Sequence, residues 1–322
     1  MKNLIIFFSI ILPNLAFTEI LEKFPLACIC DKSINALKYF DCKQKAEFET
    51  QLQSDINRPF DLTHAYPIRV VFYAVAKARY VLINIHHIAF DGWSTDIFLQ
   101  ELNAYYAHFA QGAPLALADL TIQYKDYSLW QREYLTGEVL QEQLAYWQQQ
   151  LQDFETLALP IDKQRPLQID YRGENIGFTL GRELSEDLRA IAKKQGCTLY
   201  TVLLSGFYIL LNKYTGQSDL LVGTPLANRT QAQLEAMIGF FVNSLAVRVK
   251  LGTGQSGIDV IKQVHETLIA GQRYQELPFE KLVELLRIER DPSRHPIFQV
   301  LFSLQDFGVV QESAYFKLLE VS

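Results

Sequence analysis

Two apolar runs, residues 68–75 (IRVVFYAV) and 79–85 (RYVLINI), are separated by a short polar break. The second leads straight into NIHHIAFDGWS and then into an amphipathic stretch. β-Branched and aromatic residues at this density predict two strands with a turn at 76–78. Beyond them, Ile97, Phe98, Leu102, Tyr105 and Tyr106 recur at helical spacing, which predicts a helix over 95–111. Ser94 is the expected N-cap, because its hydroxyl can accept a free N–H of the first turn. Gly112 and Pro114 then stop the helix. The rest of the chain continues this mixture. Helices are expected at 124–135, 139–151, 185–195 (capped by Ser185, with Gly196 past its end), 199–214, 260–271 and 279–286. Residues 199–214 are apolar on nearly all sides, which predicts a buried helix. Strands are expected at 175–180, 220–222, 244–251 and 297–304. The fold class is therefore α/β, with a mixed sheet and flanking helices in each of two lobes. A loop holding Pro160, Pro166 and Gly173 marks the expected break. It gives an atypical segment over 1–59, a first lobe over 60–160 and a second over 161–322.

Hydrophobic residues make up 49% of the 322, enough for a sizeable core, and this excludes disorder as the overall state. A formal charge of −6 speaks against a basic nucleic-acid surface. Four cysteines are too few for a disulfide scaffold, and Cys28-x-Cys30 lacks a second pair at metal spacing. Residues 1–17 (MKNLIIFFSIILPNLAF) have two readings. One is a secretory signal, and the other is an apolar strand or helix packed on a core. The run is too short to span a membrane, and no later stretch reaches that length.

NIHHIAFDGWS carries the chemistry. On a strand successive side chains point to opposite faces, so His87 is expected to share a face with Val81, Ile83 and Ile85, while His86 points the other way with Leu82 and Asn84. Two imidazoles on opposite faces do not hold one metal, so no metal site is expected. Gly92 permits a sharp turn, and Asp91 can tie that turn down through backbone N–H groups or an arginine. The triplet Gly252, Gly254, Gly257 fits a dinucleotide-type G-x-G-x-x-G. The strand before it is half polar and no acidic-ended second strand follows, so it reads as a surface turn. No Walker A sequence and no G-x-S-x-G elbow occurs.

H-H-x-x-x-D-G, filled by His86, His87, Asp91 and Gly92, resembles the signature of condensation domains of nonribosomal peptide synthetases. Their fold is similar to that of chloramphenicol acetyltransferase. Further stretches agree in the family's order: YKDYSLW (124–130), VGTPLANR (222–229), IGFFVNSLAVR (238–248), YQELPFE (274–280) and RDPSRHPIF (290–298). The resemblance runs from Phe60 to Asp306. Tyr274 and Glu276 stand where the family usually has a polar residue and an aspartate. IGFFVNSLAVR with ELPFEKLVELL is most similar to the subtype whose donor ends in a D-residue.

The resemblance implies acyl transfer, in which the amine of a carrier-bound aminoacyl thioester attacks a carrier-bound acyl or peptidyl thioester. Both substrates would arrive on phosphopantetheine arms through a channel, with no cofactor bound directly. The implied partners are carrier protein domains and neighbouring adenylation domains, with no nucleic acid and no membrane, and a cytoplasmic location. His87 is implied as general base or amine-positioning group, His86 as an orienting residue, and Gly92 as an oxyanion donor through its N–H. Asp91 is implied as structural, paired with Arg229 from the other lobe, with Arg248 as the alternative partner. Trp93, Ser94, Asn243 and Ser244 are implied as channel-lining, and a turn that caps the strand at 244–251 is the other reading of the last two. The family's pattern also implies stretches before Phe60 and after Leu304. On that basis the chain is expected to be poorly soluble and inactive alone. Two alternatives stand beside the reading: a non-catalytic fragment of a synthetase, or a free-standing acyltransferase of the same fold.

Overall fold

The computed structural model describes residues 4–10, 37–42, 44–170, 172–287, 291–305 and 316–319. They fall into two compact units, one drawn from Met1–Leu129, Arg229–Phe241 and Asp306–Ser322, the other from Trp130–Asn228 and Val242–Gln305. The units thus do not follow a single break near residue 160. The late segment 229–241 groups with the first unit, so Arg229 belongs to the same unit as Asp91 rather than to the other lobe.

The first unit is built on a five-stranded sheet in the order β2-β3-β4-β1-β7. Its strands are β1 (Leu4–Ile10), β2 (Leu37–Cys42), β3 (Ile68–Val75), β4 (Ala78–Ile85) and, late in the chain, β7 (Phe316–Leu319). β2 runs parallel to β3, and the remaining pairs are antiparallel. Alternation in the β3–β4 hairpin supplies two apolar faces. Ile68, Val70, Phe72, Val81, Ile83 and Ile85 pack with Phe98, Leu99, Leu102 and Tyr106 of α2 (Gly92–Gln111). Val71, Tyr73 and Leu82 pack with Phe48 and Leu52 of α1 (Lys45–Asn57). One sheet is therefore covered by a helix on each face. Gly112 ends α2 at φ +70°, where its N–H reaches back to Ala107 and His108.

Of residues 1–17, the structure describes Leu4–Ile10, which form strand β1. Leu4–Ile10 lies between β4 and β7, in register from Leu4 against Ile85 to Ser9 against Tyr80. The composition of the segment does not reveal this fit, because pairing partners are not encoded in the run itself. Cys42 is buried and Cys197 half-buried, whereas Cys28 and Cys30 lie outside the described residues.

α3 (Tyr124–Tyr134) begins in the first unit and continues in the second from Trp130. The second unit has an antiparallel pair, β5 (Asp219–Leu226) and β6 (Asn243–Lys250). Around it lie α4 (Gly137–Gln150), α5 (Arg182–Gln195), α6 (Leu199–Thr215), α8 (Gly257–Arg273) and α9 (Phe279–Leu285). The short α7 (Ala232–Glu235) belongs to the first unit. Leu204, Tyr208 and Leu211 of α6 meet Leu220, Val222, Val247, Val264 and Leu268 in the core.

Several expectations are corrected here. Residues 175–180 form no strand, and Ile176 and Phe178 are 90% and 83% exposed. Residues 297–304 form no strand either. They make a single parallel bridge, Leu301 to Gly223, with Gly223 N–H donating to Val300 O at 2.9 Å. α5 starts at Arg182 with Gly181 as its cap, so Ser185 lies within the first turn. α6 is buried on one side only, and Tyr214 is 65% exposed. Gly252 and Gly254 sit in a turn that leads into α8, whose start at Gly257 is fixed by a capping box between Ser256 and Asp259.

Candidate active site

The strand phase does not carry through the two histidines. β4 ends at Ile85, and His87–Ala89 form one turn of 3-10 helix with His86 as its cap. His86 Nδ1 accepts the Ile88 N–H at 3.0 Å, so neutral His86 carries its proton on Nε2. Burial, with the neighbouring His87 adding to it, holds His86 below its usual value of 6.5, which favours the neutral, accepting form. The His87 ring makes a different bond. Its Nδ1 lies 3.0 Å from the Phe90 carbonyl oxygen. A carbonyl can only accept, so Nδ1 carries a proton, and in the neutral form of the half-buried ring Nε2 keeps its lone pair, with no partner among the described residues. The two imidazoles thus differ in tautomer because they serve opposite ends of one turn.

Asp91, 1% exposed, is the N-cap of α2. This corrects the expectation for Ser94, which is fully buried inside the first turn. Asp91 Oδ1 accepts the Ser94 N–H at 2.9 Å and the Ser94 hydroxyl at 2.7 Å. Its Oδ2 accepts the Phe241 N–H at 3.1 Å. Arg229 Nη2 lies 3.0 Å from Oδ1, with 2% of the arginine side chain exposed. The same Nη2 donates to Ser94 Oγ at 3.1 Å, and Nη1 donates to the carbonyls of Leu234 and, at 2.6 Å, of Met237. The guanidinium also rests over the Phe241 ring, 4.2 Å from its centroid. Burial pulls the Arg229 pKa down and Asp91 opposes that shift. Asn228, the residue before Arg229, has φ +53°. Asparagine tolerates that left-handed conformation better than most residues.

Sequence reasoning did not assign roles to Gly239, Phe241 and Tyr124, although all three stand in quoted motifs. The Ser94 hydroxyl accepts the Gly239 N–H at 3.1 Å, and the Tyr124 hydroxyl donates to Phe240 O at 2.8 Å. A Cβ on Gly239 would clash with Tyr124 Cδ2 and would lie 2.8 Å from both Tyr124 Cε2 and Phe241 Cε2. Gly239→Ala is therefore expected to cost about 1–3 kcal/mol through overpacking beside the ion pair. Urea unfolding checks this, and an unchanged midpoint would show that the Tyr124 ring yields freely.

The other named residues lie as follows. Gly92 is the first residue of α2, where backbone N–H groups lack helical partners. Trp93 is 44% exposed and its Nε1–H donates to Glu235 O at 2.9 Å. Arg248 does not meet Asp91. It pairs with Asp219 at 2.5 Å and donates to the carbonyls of Gln150, Gln152 and Asp153. Asn243, buried in the second unit, clips a loop. Its Nδ2 donates to Gln275 O and Leu277 O at 2.7 and 2.8 Å, while Oδ1 accepts from Ser244 N and Phe279 N at 2.8 and 3.0 Å. Ser244, half-buried, contributes only its N–H to this clip. Asn243→Ala strands these peptide groups and is expected to cost at least about 1–3 kcal/mol in a thermal or urea melt. Tyr274 stacks on Tyr146 at 4.1 Å, and Glu276 reaches Gln143 Nε2 at 3.4 Å. Among the described residues no cluster of metal ligands occurs, and no helix is long and apolar enough to cross a membrane.

A sheet carrying helices on its faces, in a chain of mixed helices and strands, is similar to the chloramphenicol acetyltransferase-like fold. The family model described as "Condensation domain" matches residues 16–319, reaching further towards the amino terminus than the motifs do. The chain belongs to the condensation-domain family of nonribosomal peptide synthetases. It is 36% identical over 320 residues to gramicidin S synthase 2 of Brevibacillus brevis, covering 95% of this chain and 7% of that protein. It is 41% identical over 263 residues to N-(5-amino-5-carboxypentanoyl)-L-cysteinyl-D-valine synthase of Amycolatopsis lactamdurans, covering 81% and 7%. The chain thus spans a small fraction of these relatives' length. In fold it is similar to the X-domain in a complex with OxyB from teicoplanin biosynthesis. There the TM-score is 0.87 at 22% identity, over 100% of this chain and 76% of that one. It is likewise similar to holo-AB3403, a four-domain nonribosomal peptide synthetase, with TM-score 0.85 at 24% identity over 96% and 25%. At these identities the two structures speak for the fold alone.

Proposed function

We propose that this chain joins two carrier-bound substrates by an amide bond. The donor is an acyl or peptidyl thioester on one phosphopantetheine arm, and the acceptor is the amine of an aminoacyl thioester on another. The observation that carries the reading is the 3.0 Å contact of His87 Nδ1 with the Phe90 carbonyl oxygen, which assigns the proton of the neutral ring to Nδ1 and leaves Nε2 as the atom that can receive one. An amine is a competent nucleophile and a thioester is activated, so orientation, one proton transfer and oxyanion stabilisation suffice. His87 Nε2 takes the proton of the attacking amine as the C–N bond forms. The tetrahedral intermediate then collapses, breaking the C–S bond, and the His87 imidazolium returns its proton to the leaving sulfur, so that the donor arm departs as a thiol. His86 shapes the turn, and the Asp91–Arg229 pair holds the turn and the start of α2 together. The Gly92 N–H, at the start of that helix, is the candidate oxyanion donor. Carrier proteins deliver both substrates, and adenylation domains load the carriers.

The test uses one carrier loaded with an acyl or aminoacyl donor and a second loaded with an aminoacyl acceptor. Intact-protein mass spectrometry should show the acceptor carrier gaining the donor acyl mass while the donor carrier becomes a free thiol. Donor loss by hydrolysis alone, with no gain on the acceptor, would overturn the reading.

A further inference from the structure

The face of the β3–β4 hairpin turned towards α1 holds polar groups with incomplete bonding. Arg69 and Asn84 are directly opposed in the register, so their side chains share that face with Val71, Tyr73 and Leu82. Arg69 Nη2 donates to the Arg58 carbonyl, yet among the described residues the buried Nε and Nη1 have no partner. Asn84, 1% exposed, donates to Ile56 O at 3.2 Å, and its Oδ1 is also unpartnered. The nearby Asp55 accepts from Tyr73 Oη at 3.0 Å and Gln51 Nε2 at 2.9 Å, both on Oδ2. A guanidinium so poorly bonded is retained at a cost. What it does engage is an aromatic ring, since its Cζ lies 3.9 Å from the centroid of Phe60. Such a contact is strongest where water is excluded. The Phe60 ring meets the His86 ring edge-on, at 5.7 Å and 80°. His86 in turn caps the 3-10 turn that carries His87.

We propose that Arg69 is a positioning residue for His87: its guanidinium fixes the Phe60 ring, that ring fixes the plane of His86, and His86 holds the turn that aims His87 Nε2. Arg69 touches no reacting atom in this scheme. Its kinetic consequence rests on the amide-forming role proposed above, while its structural consequence does not. The Ile88 N–H bond serves the same end, because only an unprotonated His86 Nδ1 can accept it, and burial shifts His86 in that direction. A small misplacement of a catalytic group is enough to slow chemistry markedly.

The test compares the parent with Arg69→Met, Arg69→Lys and Phe60→Leu. Nitrogen-correlated NMR of the imidazoles should show His86 protonated at Nε2 and His87 at Nδ1 in the parent. In Arg69→Met and Phe60→Leu the His86 signals should move and the Ile88 amide should exchange faster. In carrier-coupled assays kcat should fall about tenfold or more with KM little changed, and Arg69→Lys should recover part of the loss. Unmoved His86 and His87 signals, with kcat within about twofold of the parent, overturn the proposal even if melting temperature drops. If the parent itself forms no amide, the functional reading fails and the NMR comparison alone decides the positioning role. If Arg69→Met does not fold, Phe60→Leu and Arg69→Lys carry the same readouts.

Discussion

Asp91→Ala is expected to lower unfolding free energy by about 3–5 kcal/mol, the usual cost of removing one partner from a buried ion pair. The substitution strands the Arg229 guanidinium, which keeps its bonds to Leu234 and Met237 and its seat on Phe241 but loses its counter-charge. It also removes the N-cap of α2 and the acceptor for Phe241 N–H, so two distant segments loosen together. Arg229→Ala should behave similarly, with Asp91 then held only by the Ser94 and Phe241 donors. The double variant should be less damaging than the sum, since each single change leaves the other charge unpaired. Urea unfolding of the four proteins measures this. Strictly additive losses would mean that the pair does not act as a unit.

His87→Ala is expected to leave stability nearly unchanged and to lower amide formation by about 10²–10⁴-fold, the range for loss of a general base. Among the described residues the ring makes one bond, to Phe90 O, and an edge contact with Phe240 at 6.5 Å. His86→Ala should retain part of the activity, because it loosens the turn without removing the base. Equal losses in the two variants would contradict the division of labour drawn from their tautomers. Circular dichroism melts of both variants separate a loss of chemistry from a loss of fold.

Strands β3 and β4 were legible because β-branched runs with apolar residues on both parities leave few alternatives. The site motif was legible for the same reason that it is informative: a histidine pair, an aspartate and a glycine at fixed spacing have little use in plain packing. What escaped the sequence depends on partners far along the chain. Asp91 and Ser94 are both good caps. The choice of Asp91 goes with Arg229 and the Phe241 N–H, which local pattern does not reveal. The facing of His86 and His87 failed because alternation ends where β4 ends and a 3-10 turn begins. Ile176 and Phe178 alternate like a strand, but alternation supplies no neighbour to pair with, and both side chains stand in solvent. Leu4–Ile10 shows the reverse case, in which a run resembling a signal is paired along both edges. The Arg69–Phe60–His86 series depends on β-register and aromatic contact together, so single-residue signals do not expose it.

The central claim is that His87 Nε2 on this chain drives transfer of an acyl group from one carrier to an amine on another. Single-turnover mass spectrometry with both carriers loaded tests it most directly, run side by side with the parent and His87→Ala. The account predicts donor mass appearing on the acceptor carrier with the parent, and a rate lower by at least about 10²-fold with His87→Ala. Transfer at equal rates by both proteins, or no transfer above the enzyme-free background with the parent, would contradict it.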